Sequence, residues 1–86
     1  MNNNVSIMTN LEKYNQIFAE VFGAKPEELG DNYSIETVKD WDSVHQLGII
    51  SSMEEVFDLM LDPEDIVACT SYNAGKAILA KNDVEL

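Results

Sequence analysis

From Val44 onward the chain carries an apolar stripe that only a helix can use. Val44, Leu47, Ile50, Met53, Phe57 and Met60 recur at spacings of three and four, and Ile49 and Val56 widen the band. On an α-helix these side chains share one face, whereas on a strand they would scatter over both. Asp42 stands just before the stripe as a suitable N-cap. The pattern predicts a central helix from Ser43 to about Leu59, and such a helix must bury its stripe against others. Gly48 inside it costs about 1 kcal/mol against Ala, and is read as a place where another surface approaches closely.

Partner helices can be read on both sides. Thr9 precedes Glu12 by three residues, a capping-box spacing that predicts a helix start. Leu11, Tyr14, Ile17, Phe18, Val21 and Phe22 then fall on one helical face, and Gly23 follows as a natural C′ residue. This first helix is predicted over about Asn10 to Phe22. Beyond the central helix, Asp62-Pro63-Glu64-Asp65 supplies a cap, a proline at the first helical position and acids in the first turn. Ile66 and Val67 form the apolar side of a short helix there. It is cut off by Thr70-Ser71, where Thr70 is read as the cap of a last helix. That helix turns Tyr72, Ala74, Ala77, Ile78 and Leu79 inward and carries Lys76 and Lys81 late, where the dipole favours cations.

Ala24 to Trp41 is long for a connection in a bundle. Pro26 to Leu29 can make one helical turn, and Gly30-Asp31-Asn32 is a turn signal. Leu29, Tyr33, Ile35, Val38 and Trp41 are read as pegs that pin an ordered loop, with neither alternation nor a partner for a strand. The sum is an all-α fold, a small four-helix bundle of three longer helices plus one short helix and a long first loop. Residues 1–8 are expected to be flexible, with Ile7 and Met8 able to touch the domain. Residues 9–81 form the domain, and 82–86 fray.

Charge removes several function classes. Sixteen Asp and Glu oppose five Lys and no Arg in 86 residues, a formal net charge of −11. Phosphate contacts need clustered cations, so no nucleic-acid role is expected, and no docking on an anionic membrane. The apolar runs are too short to span a bilayer, and the chain opens on no signal peptide. One Cys excludes an intrachain disulfide and, with one His, a structural zinc site. A cytoplasmic, monomeric domain is expected.

Catalytic constellations are not visible either. Calcium-loop registers starting at Asp31 or Asp40 place Ile35 or Val44 where an oxygen ligand belongs. Ser43 and His45 are two apart and diverge on a helix, and no second His can act as base. Cys69 reads as a packed hydrophobe rather than a reactive thiol. His45 reads as a surface residue. The four glycines, at 23, 30, 48 and 75, make no phosphate loop. No enzyme and no metal site is expected.

What stands out is Asp42-Ser43-Val44 opening the central helix after an acidic loop bearing Glu27, Glu28, Asp31, Glu36 and Asp40. Alone, the dipeptide does no more than start a helix. In this helix order, the chain from Leu11 to Lys81 resembles the acyl carrier proteins, whose hallmark is Asp-Ser-Leu at the start of the second helix. The likeness continues through Leu47, Ile49, Ile50, Met53, Glu54, Glu55 and Phe57-Asp58. It implies a stand-alone carrier domain over 9–81. A phosphopantetheinyl transferase would move the 4′-phosphopantetheine of coenzyme A onto Ser43, flanked by Asp42 and Val44. An acyl or similar carboxylic cargo would ride on the arm as a thioester. Partners would be an acyl ligase, acyltransferase or synthase with a basic surface, meeting Gln46, Leu47, Gly48, Glu54, Glu55 and Asp58.

Two departures set this chain apart from the carriers of primary fatty-acid synthesis. His45, Gln46 and Gly48 stand where those carriers usually have acids, and Trp41 precedes the Asp-Ser pair. Both point to a dedicated, specialised biosynthetic pathway. Val44 has two readings, an apolar contact beside the arm or a plain core position. The rival readings of the whole chain are an acidic helical interaction module with no prosthetic group and a carrier-like protein that has lost modification.

Overall fold

In a computed structural model of the chain, which describes residues 8–86, each helix begins on a side-chain cap. Helix α1 spans Asn10–Phe22. Thr9 Oγ1 accepts from the Glu12 N–H at 3.1 Å, and Glu12 Oε1 accepts from the Thr9 N–H at 2.8 Å. Gly23 ends the helix at φ 70°, a left-handed conformation in which a Cβ would be strained. Helix α2, Ser43–Phe57, starts on Asp42, and α3, Pro63–Ala68, starts on Asp62. Helix α4 spans Tyr72–Lys81. Its cap is Ser71, whose hydroxyl accepts from the Ala74 N–H at 2.9 Å, and not Thr70. The Thr70 backbone is used elsewhere, since its carbonyl accepts from the Ile35 N–H. Ile7, expected to touch the domain, lies outside the described residues. Met8 lines a shallow groove with Gln16, Ile17 and Val56.

The core is an aromatic spine. Phe18 of α1 sits among Tyr14, Phe22, Tyr33, Trp41 and Tyr72, with ring centroids 5.0–6.1 Å away. Most of these pairs are tilted or edge-on, as ring quadrupoles favour. Ile49, Ile50 and Met53 of α2, with Leu61, Cys69, Ile78 and Leu79, complete the buried cluster. The long loop carries one 3-10 turn, Pro26–Glu28. Its Leu29, Tyr33, Val38 and Trp41 pack against the core, while Ile35 is exposed and holds the loop through its backbone instead. Tyr33 and Thr70 carbonyls accept from the Tyr72 and Ile35 N–H groups, which fastens the loop to the start of α4.

Several faces differ from the sequence reading. Helix α2 ends at Phe57, because Asp58 turns left-handed at φ 56°, so Met60 lies beyond it and is 89% exposed. The buried side of α2 is Ile49, Ile50 and Met53, whereas Val44, Leu47 and Val56 face solvent. Apolar residues ring so much of this helix that the contact with α1 decides which of them are covered. On α4, Gly75 is buried and Ala77 exposed. On α3, Val67 faces outward, and the buried residue is Asp65. Asn82–Leu86, expected to fray, folds back. The Val84 N–H donates to the Leu79 carbonyl, and the Asn10 side chain donates to the Glu85 carbonyl at 3.0 Å. Among the described residues, no helix is long and apolar enough to cross a membrane.

Candidate functional site

Ser43 is the first residue of α2, and its side chain is exposed. Among the described residues no hydrogen bond engages its hydroxyl. Asp42 is held next to it. One oxygen, Asp42 Oδ1, accepts from the His45 N–H at 2.9 Å and lies 2.8 Å from His45 Nδ1. The His45 N–H, then the His45 ring, hold the Asp42 carboxyl below the usual carboxylate range. The carboxylate therefore stays ionised, and it is spent on the cap rather than on Ser43. The imidazole also stacks on Phe22 at 5.3 Å and 15°. His45 is thus half-buried and engaged, not the plain surface residue expected. The spacing of three between Asp42 and His45 was the available signal.

Ser43 opens onto a shallow groove of about 360 Å³ that it shares with Gln46, Leu47, Ile66, Val67 and Thr70. None of these side chains is charged, on a chain with net charge −11. Leu47 and Val67 of this groove are 54% and 73% exposed, and Val44, next to Ser43 in the chain, is 75% exposed. The hydroxyl at the helix start is therefore framed by accessible apolar side chains. The α3 side of this frame was not foreseen, because Val67 was expected to point inward.

Gln46 was expected to meet a partner, but it is turned into the fold. The Trp41 indole N–H donates to Gln46 Oε1 at 3.1 Å, and Gln46 Nε2 donates to the Ile66 carbonyl at 2.8 Å. One amide thus joins the loop, α2 and α3. Gly48 does meet another surface, since Val21 of α1 packs against it. That takes Gly48, too, away from a partner-facing position. Glu54 has its own task, since its Oε2 accepts from the Leu61 N–H at 3.0 Å and ties down the α2–α3 turn. Glu55 and Asp58 are exposed.

Cys69 is fully buried, and burial pushes its thiol up to about 11. It is neither ionised nor accessible near neutral pH. Among the described residues no three His, Cys, Asp or Glu side chains gather as metal ligands would. No protein family, curated protein or solved structure matches the chain.

Proposed function

We propose that this chain is a stand-alone acyl carrier protein whose 4′-phosphopantetheine arm is attached to Ser43. The observation that carries the reading is the Ser43 hydroxyl itself, exposed, with no hydrogen-bond partner among the described residues, and set at the first residue of α2. A primary hydroxyl so placed fits a phosphodiester. The helix N-terminus offers free N–H groups and the positive end of the dipole to the phosphate. Asp42 caps the helix through His45 and leaves Ser43 free. When bound, the arm supplies a terminal thiol that holds a carboxylic cargo as a thioester.

The chain's own part is presentation. Val44, Leu47 and Val67 offer apolar contact beside the attachment point. Exposed Glu55 and Asp58, with the acidic loop, steer a basic enzyme surface from a distance. A transferase loads the arm and a dedicated ligase or acyltransferase loads the cargo, so the carrier is a substrate of its partners rather than an enzyme. The stretch from Ser43 to Met53, which holds no Lys, Arg, Asp or Glu, favours partners of a specialised pathway, which would match an apolar platform rather than an acidic one.

Peptide mapping tests the attachment point. After incubation with coenzyme A and a broad-range phosphopantetheinyl transferase, the added group should sit on the peptide containing Ser43. The Ser43→Ala protein should take none. Equal labelling of the Ser43→Ala protein would overturn the assignment.

A further inference from the structure

The cap of α2 is built unlike those of α3 and α4. Asp62 and Ser71 each cap their helix through one backbone N–H. Asp42 Oδ1 accepts from the His45 N–H at 2.9 Å and also lies 2.8 Å from His45 Nδ1. An ionised carboxylate only accepts, so Nδ1 carries the hydrogen and donates, whatever the charge on the ring. The ring is braced from its other side. It lies flat on Phe22 at 5.3 Å and 15°, and Phe22 leans on buried Trp41 at 5.0 Å. Both donors fall on Oδ1, and among the described residues Oδ2 has no hydrogen-bond partner. The Asp42 side chain is 63% exposed, so a second protein can reach it.

A carboxylate held by one bond swings about it. A second donor on the same oxygen, from a ring that is itself packed, removes most of that freedom and fixes where Oδ2 points. Resting on the reading of Ser43 as the attachment point, we propose that His45 is a positioning residue of the attachment step: through Oδ1 it holds the Asp42 carboxylate so that Oδ2 meets a cationic group of the transferase next to Ser43. In that step Ser43 Oγ bonds to the phosphorus of the pantetheine phosphate of coenzyme A. The bond from that phosphorus to adenosine 3′,5′-bisphosphate breaks, and the bisphosphate leaves with the electron pair. The hydroxyl proton passes to a base of the transferase, because an Asp42 carboxyl held below the ordinary range is a poor base. Asp42 thus supplies a charge in a fixed place and takes no proton. Preorganised charge of this kind needs no rearrangement when the partner arrives.

Two substitutions separate the ring's donor from its packing. His45→Phe keeps a ring to stack on Phe22 and keeps the backbone cap, but has no donor for Asp42. His45→Asn loses the stack but sets an amide donor where Nδ1 was, since both atoms are bonded to Cγ. The Asp42 carboxyl, followed by carbon-13 NMR, should titrate higher in His45→Phe than in the wild type and close to the wild type in His45→Asn. The transferase kcat/KM should fall about tenfold for His45→Phe and stay within about twofold for His45→Asn, the scale of one hydrogen bond to a charged group. A wild-type chain that is loaded while His45→Phe is loaded just as fast would overturn the role of His45 and leave the carrier reading standing. His45→Asn loading as slowly as His45→Phe would also overturn it, because the packing on Phe22 would then be what matters. A wild-type chain that takes no arm would overturn the carrier reading and this role together.

Discussion

The Tyr14 hydroxyl occupies the space that a Cβ on Gly75 would need. That hydroxyl donates to the Tyr72 carbonyl at 2.6 Å, deep in the core, so α1 and α4 close on each other there. Gly75→Ala must push Tyr14 away and break this bond. We expect a loss of about 1–3 kcal/mol, the usual range for overpacking a core. Gly48 is the opposite case, because a Cβ there meets only Val21 side-chain carbons at 3.7 Å, an ordinary contact. Gly48→Ala should gain about 0.5–1 kcal/mol from helix propensity. Urea unfolding of both variants reads the two signs, and two losses would contradict this packing.

Val44 separates surface from core. At 75% exposure it has little to lose. Val44→Asp should stay folded, within about 0.5 kcal/mol of wild type, yet be loaded more slowly by its ligase. Thermal melting followed by circular dichroism checks the first part and a loading assay the second. A collapse of the fold would place Val44 in the core, where an unpaired charge costs several times more.

The Asp65–Lys81 pair sets a pH window. The Lys81 ammonium holds the Asp65 carboxyl below its ordinary value, and Asp65 raises the Lys81 amine above its own. A depressed carboxyl stabilises the fold above the ordinary carboxyl pKa, and that gain is lost as pH falls through its native value. A raised amine stabilises below the ordinary lysine pKa, and that gain is lost as pH climbs through its native value. The pair therefore acts fully from about pH 4 to about pH 10, between the ordinary values of the two groups. Lys81→Met should lower stability at neutral pH, and its deficit should shrink towards both extremes. A deficit that is constant with pH would show that the aliphatic stem of Lys81, not its charge, supplies the stabilisation.

Self-repulsion at net charge −11 should limit stability. With five Lys, few favourable pairs exist for salt to weaken. The melting temperature should rise with NaCl, which screens the carboxylates, and rise further with millimolar Mg²⁺. A flat or falling response would mean that repulsion does not limit the fold.

Local chemistry was legible where neighbours in sequence settle it. The Thr9–Glu12 box, Gly23, the Asp42 cap and Asp62-Pro63 all act within four residues and stand where the pattern predicts. Competition between adjacent residues was not legible. Ser71 caps α4 rather than Thr70 because the loop residues Tyr33 and Ile35 pair with the backbone around it. The face of α2 was hidden for a related reason, since Val44 and Leu47 are as apolar as Ile49 and Ile50, and only the latter pair is buried. The polar fastenings of α3 were hidden by distance. Asp65 finds Lys81 sixteen residues on, and Gln46 finds Ile66 twenty residues on. At the site, Ser43 and its cap were visible as a motif, but the groove was not, because Val67 joins it from another helix.

The most direct test of the carrier reading is the intact mass of the wild-type chain after co-expression with a broad-range phosphopantetheinyl transferase. The wild-type chain should gain the mass of one phosphopantetheine arm across the whole population, and the Ser43→Ala chain should gain none. A wild-type mass that stays at the bare polypeptide while a known carrier in the same cells is fully loaded would contradict the carrier reading, and would leave an acidic interaction module or a carrier-like protein that has lost modification.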